Sequence, residues 1–183
     1  MKNKTQRKLG FRGEYLWEFE FPEQQLELLA EAVPAERYGW RPVDNARSVS
    51  EVLIHIAAGN FVLLHMTGVP LPPDVYLQIE GEGTERFYNL IARNEELEKT
   101  ITEKTEVVQL LKRSIESARE AFTRATDVEL DRVGEFFGEQ TTVRRVHLRL
   151  LIHMNEHMGQ MVAYVRSMGM PAPWPAWRRL PKR

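Results

Sequence analysis

Helical periodicity governs this chain: apolar residues recur three and four positions apart through most of its length, and no alternating period-two stretch is long enough for a convincing sheet. The clearest run is Val107, Val108, Leu111, Ile115, Ala118 and Phe122, one apolar stripe on a helix from roughly Lys104 to Ala125. Ser48-Val49-Ser50-Glu51 is a capping-box sequence, so another helix starts near Val49, and it stops by Thr67-Gly68. An earlier segment runs from about Glu14 to Val33, with Pro22 marking a kink or a late start and Pro34 ending it. Thr142 has the character of a cap for the last helix, Val143 to Met168, which Gly169 and Pro171 terminate.

Between these segments the signal weakens. "GVPLPPDVYLQIEGEGTERFYNL" predicts a long connection with one short helix around Thr84 to Leu97; its Gly-Glu-Gly is a turn, without the glycine spacing or Lys-Ser/Thr of a phosphate-binding loop. Thr126 and Glu129 predict a capped short turn, and "VGEFFGEQTT" a glycine-punctuated loop. Four long helices with one long crossover connection predict an all-α fold, a four-helix bundle, because each amphipathic face must be buried against another helix. We read residues 1–183 as one domain ending in a basic Trp/Pro-rich tail over 170–183.

Composition narrows the chemistry. With no cysteine, disulfides, thiolate ligands, iron–sulfur clusters and a nucleophilic thiol are all excluded, so any bound metal is held by nitrogen and oxygen. A formal net charge of −1 provides no long-range field for nucleic acid or an anionic membrane. The tail, with Trp174, Trp177, Arg178, Arg179, Lys182 and Arg183, could stack on bases and pair with phosphates, but on an otherwise neutral chain it reads as a packing or dimer-edge feature. The basic amino-terminal stretch is followed by no apolar core, and nowhere do about 18 uncharged apolar residues run together, so the expectation is a cytoplasmic protein with no membrane partner.

The informative residues are histidines. In "LIHMNEHMGQ", His153 and His157 lie about 40° apart on one helix face, on the stripe that also carries Val146, Leu150, Met161 and Tyr164. His55 falls on an inward seam with Val52, Gly59, Val62 and Met66. Gly59 costs its helix about 1 kcal/mol relative to alanine, which a close approach by a ligand or a neighbouring helix would explain. Polar rings buried without partners cost about 1–3 kcal/mol each. Three imidazoles from two helices would hold a divalent ion with positions open for water or substrate, while the plainer alternative is a set of core histidines satisfied by carbonyls or water.

His65 and His147 fall off these stripes and read as surface or loop-facing, although His65 could line the mouth of a pocket. His153 to His157 also spells H-x-x-E-H, a metalloprotease signature with Glu156 as base, but no Asp or Glu follows Glu156 to complete such a site. Glu156 is then a rim residue or an acceptor for an imidazole N–H. Glu156, Gln160 and Tyr164 are the candidate catalytic residues, the last two for orienting a ligand or a metal-bound water, and no general base stands out.

Trp40-Arg41-Pro42, Arg47-Ser48-Val49 with Glu51 and His55, His153-x-x-x-His157-x-Gly159-Gln160, and Tyr164-x-Arg166 with Gly169 together resemble the DinB-like superfamily, which includes the bacillithiol and mycothiol S-transferases. The resemblance implies an up-down-down-up bundle, a zinc, nickel or manganese ion on His55, His153 and His157, and a homodimer. It also implies a small-molecule substrate. Because the chain lacks cysteine, thiol chemistry would need a low-molecular-weight thiol as co-substrate. The expected function is that of a metal-dependent transferase or hydrolase activating a thiol or water, with a non-catalytic metal- or ligand-binding stress-response accessory protein as the alternative.

Overall fold

The computed structural model describes residues 10–77 and 79–174. The bundle consists of α1 (Phe11–Ala32), α2 (Val49–Met66), α4 (Lys104–Arg124) and α6 (Val143–Ser167), with α3 (Gly83–Thr100) packed on the outside of α2. A short α5 (Asp127–Asp131) and a hairpin of β1 (Val133–Phe136) and β2 (Glu139–Thr142) link α4 to α6.

Side-chain contacts fix the directions. Lys104 at the start of α4 donates to the carbonyl of Val33 at 2.8 Å, and Phe11 and Phe122 have ring centroids 6.0 Å apart, so α1 and α4 are antiparallel. Tyr15 donates to the His147 carbonyl at 3.0 Å, which makes α1 parallel to α6. At the other end Tyr164 donates to the Arg47 carbonyl at 3.0 Å, so α2 is antiparallel to α6. The order is therefore up-down-down-up, with α1 and α2 at opposite corners and α4 and α6 each touching both.

The helix ends follow their local chemistry. Ser48 Oγ accepts from the Glu51 N–H at 3.3 Å while the Glu51 carboxylate accepts from the Ser48 N–H at 2.7 Å, a complete capping box. Gly169 ends α6 at φ 77°; its N–H meets the Arg166 carbonyl and that of Met170 meets Val165, both at 3.0 Å, which is a Schellman motif. With a mean hydropathy of 1.5 over 18 residues, α2 is long and apolar enough to cross a membrane, but 72% of it is buried inside the bundle. Its apolar surface goes into the core, a single cluster that Leu53, Ile54, Ile56 and Leu64 share with Phe19, Leu26 and Leu29 of α1, Leu111, Ile115 and Phe122 of α4, and Met154, Met161 and Val165 of α6.

Three elements differ from expectation. The first helix begins at Phe11 and continues through a buried Pro22 without a late start. The connection after α2 holds a helix of 18 residues, longer than predicted, because a single stripe of Leu90, Asn94, Leu97 and Glu98 is enough to seat an otherwise polar helix on α2. The glycine-punctuated loop is a hairpin: Phe137 (φ 51°) and Gly138 (φ 81°) give the two positive φ angles of a type I′ turn. Phe137 stacks edge-on against Phe87 of α3, with centroids 5.1 Å apart.

Candidate metal centre

The antiparallel run of α2 and α6 brings His55, His153 and His157 together, with one ring nitrogen from each lying within 4.8 Å of the others. His55 Nε2 and His153 Nε2 are 3.2 Å apart. Two nitrogens at tetrahedral positions around zinc, each at about 2.0–2.1 Å, would stand about 3.4 Å apart, so the pair is already spaced for one ion. All three rings are half-buried, which puts the cluster at an accessible rim instead of deep in the core. Gly59 makes the approach possible: a Cβ there would stand 2.5 Å from His153 Cε1.

Hydrogen bonds determine which nitrogens face inward. Glu98 Oε1 lies 2.7 Å from His55 Nδ1, and Oε2 accepts from Arg47 Nε at 2.7 Å. Burial raises the Glu98 carboxyl, but the hydrogen bonds from His55 and Arg47 outweigh it and hold the group below its ordinary value. An ionised carboxylate only accepts, so His55 carries a proton on Nδ1, and in the neutral ring that a metal requires Nε2 is the bare nitrogen.

His157 is oriented by a second string of hydrogen bonds. The Arg47 carbonyl accepts from the Tyr164 hydroxyl, which then accepts from Gln160 Nε2 at 2.9 Å and leaves Gln160 Oε1 facing His157 Nδ1 at 2.8 Å. His157 is therefore also protonated on Nδ1, with Nε2 free. Arg47 anchors both strings, one through its guanidinium and one through its carbonyl. His153 Nδ1 is buried with no hydrogen-bond partner.

Burial, reinforced by the His157 and His55 rings, pushes His153 down to about 3. His157 is lowered as well, chiefly by burial, with the Gln160 hydrogen bond opposing. These two rings are neutral at neutral pH, the form a metal requires. The donor set and its spacing fit a divalent transition metal.

The other expected residues are placed as follows. Glu156 is exposed and pairs with Arg149 at 2.5 Å, so the carboxylate behind an imidazole is Glu98 of α3. The available sequence signal for Glu98 is an acidic residue on the one apolar stripe of a polar helix, one that shows its purpose only when folded against α2. His65 lies along a cavity of about 730 Å³ with Tyr76 and Arg86, and its Nδ1 meets the Val69 carbonyl at 3.2 Å.

His147 is not surface-facing as expected. It is 2% exposed, edge-on to Tyr15 and Phe122, because the first turns of α6 pack against α1 and α4 over a wider arc than the histidine stripe alone defines. Trp174 is buried, and the remainder of the tail reading, Trp177, Arg178, Arg179, Lys182 and Arg183, lies outside the described residues.

Comparison with known proteins agrees with this architecture. The sequence profile of the DinB superfamily matches residues 18–161, a span that contains all three histidines. YjoA, an uncharacterised protein of Bacillus subtilis, is 29% identical over 146 residues, covering 77% of this chain and 80% of its own. Its crystal structure superimposes with a TM-score of 0.61 at 21% identity, over 85% of this chain and 92% of that one. The crystal structure of a DinB-like protein from Bacillus cereus superimposes with a TM-score of 0.65 at 20% identity, over 87% of this chain and 93% of that one. At such identities the structures speak to the shared helical bundle, and the profile, matching most of the sequence, speaks to descent: the chain belongs to the DinB superfamily.

Proposed function

We propose that the protein is a metal-dependent enzyme working in the cytoplasm, which holds zinc, nickel or manganese on His55, His153 and His157 and acts on a small molecule by thiol transfer or hydrolysis. The observation that carries this reading is the set of three convergent imidazole nitrogens at an accessible rim, two of them bare by the logic of their hydrogen bonds. A divalent metal on such a set supplies Lewis acidity that lowers the pKa of a water or a thiol toward neutrality. The chain's own part is to orient the rings: Glu98 behind His55, Gln160 behind His157, and Gly59 leaving room for His153.

A low-molecular-weight thiol is the co-substrate on the transferase branch, since the chain has no cysteine. A homodimer belongs to the same proposal, supported by the outward apolar residues Phe21 and Leu28 on α1 and Leu148 and Ile152 on α6.

One observation favours a second reading, a non-catalytic metal- or ligand-binding accessory protein. Glu98 is engaged by His55 and Arg47, and Glu156 by Arg149, so neither carboxylate is free to serve as a general base. Elemental analysis of the purified protein beside a His55→Ala, His153→Ala, His157→Ala triple variant tests the centre. Near-stoichiometric transition metal in the wild type alone is the expected result, and equal content in both would remove the site assignment. Consumption of a small thiol with an electrophile, or hydrolysis of a small substrate, then separates the enzyme from the accessory protein, which would show saturable binding without turnover.

A further inference from the structure

The partner of the His55 ring comes from neither helix that carries the histidines. Glu98 lies near the end of α3, within the connection that joins the second and third long helices of the bundle, and it is 7% exposed. Of its neighbours on the buried stripe, Leu90 and Leu97 are apolar and Asn94 is satisfied by the Tyr76 hydroxyl at 2.7 Å, so a leucine at 98 would seat α3 without the expense of desolvating a carboxylate. The carboxylate is instead fully used, one oxygen on His55 Nδ1 and the other on Arg47 Nε, each at 2.7 Å.

We infer that Glu98, held by Arg47, is a positioning residue for the metal centre: it locks His55 in the Nδ1–H tautomer, aims Nε2 at His153 and His157, and raises the basicity of that nitrogen. This deepens the metal-centre reading and rests on it for its effect on metal affinity. The tautomer, however, belongs to the metal-free protein and is measurable by itself. In water a neutral imidazole side chain prefers its proton on Nε2, the nitrogen that must be bare here, so an acceptor behind Nδ1 removes the cost of switching. Because the acceptor rides on α3, docking of that helix and readiness of the histidine cluster are one event. Ligand-orienting carboxylates of this kind change metal affinity by about 10–100-fold when removed.

The test compares wild type, Glu98→Gln and Glu98→Ala, metal-free and at mildly alkaline pH, by long-range proton–nitrogen correlation spectra of the histidine rings. The same proteins are then titrated with zinc against a chromophoric chelator, with circular dichroism as the check on folding. His55 is expected as Nδ1–H in the wild type and shifted toward Nε2–H in Glu98→Ala, with zinc bound about 10–100-fold more weakly. Glu98→Gln keeps an acceptor but loses the charge, so it retains the tautomer and loses about tenfold in affinity; it carries the test if the alanine variant does not fold.

An Nε2–H His55 in the wild type, or an unchanged tautomer in Glu98→Ala, overturns the inference whatever the zinc titration shows. Equal zinc affinity in wild type and Glu98→Ala overturns the claim on affinity. A wild type that binds no zinc, nickel or manganese overturns the metal-centre reading, while the spectra still decide the tautomer.

Discussion

Gly59 shows how a missing methyl group shapes this site. In an exposed helix, alanine would stabilise that position by about 1 kcal/mol, but here its Cβ would meet the His153 ring at 2.5 Å. The atom in the way belongs to the end of a half-buried side chain, so the ring can swing aside while the helix stays. Gly59→Ala is therefore expected to fold with stability within about 1 kcal/mol of wild type and to lose most of its metal affinity. Isothermal titration beside urea unfolding reads both, and unchanged affinity would show that His153 is not a ligand.

His147, in the first turns of α6 and six residues before His153, gives a pH signature of its own. Burial beside Tyr15 and Phe122 pushes it down from its ordinary value to about 4. Above about pH 6.5 the ring is neutral in both folded and unfolded chains. As the pH falls toward 4 the unfolded chain takes up a proton that the folded chain refuses, so stability drops, by up to about 3 kcal/mol. His147→Leu should remove that ring's share of the slope and leave the share of His153 and His157, so stability from urea unfolding should fall less steeply between neutral and pH 4 in the variant than in the wild type; parallel pH dependences would place the ring in water. At this scale the three clustered histidines were legible from spacing on two helices. The burial of His147 and the role of Glu98 were not, because both depend on which foreign helix lies opposite.

Elements were legible where the chain marks its own boundaries. The capping boxes at Ser48 and Thr126 and the Gly169 stop all form as the sequence predicts, since each signal and its consequence lie within a few residues. The hairpin was hidden because its turn carries Phe137 where Asn or Asp is the usual signal for a positive φ, and the Phe87 contact supplies a compensation invisible along the sequence. The true length of α3 was hidden for a related reason: its polar composition describes the exposed face, and only four buried positions describe the docking. The cap of α2 has consequences beyond the helix, because Arg47 immediately precedes Ser48 and grips Glu98. Ser48→Ala should lower stability by about 1 kcal/mol. A urea midpoint that drops with unchanged slope is the expected reading, and a loss below a few tenths would mean that the Glu51 half of the box suffices.

For the whole molecule, periodicity gives the number of helices but not their directions; up-down-down-up rests on contacts such as Tyr15 with His147 and Tyr164 with Arg47, more than a hundred residues apart in sequence. That topology has a thermodynamic consequence. The histidine cluster ties α2 to α6 at the rim, and Glu98 adds α3, whereas the fully buried residues of α1, α2, α4 and α6 pack together without it. Metal should therefore add to the stability of a bundle that already stands, unlike a small zinc domain whose fold depends on its ion. For a ligand that binds only the folded state, free metal at a hundredfold excess over Kd contributes about 2.7 kcal/mol. In a chain of this length each kcal/mol moves Tm by about 2–4 °C, so loading should raise Tm by about 5–11 °C and a chelator should return it. The helical signal in circular dichroism should be the same with and without metal, and the triple histidine variant should show no shift. Helix lost on chelation would make the ion structural, closing the positions that chemistry needs; a wild-type Tm indifferent to metal would remove the centre altogether.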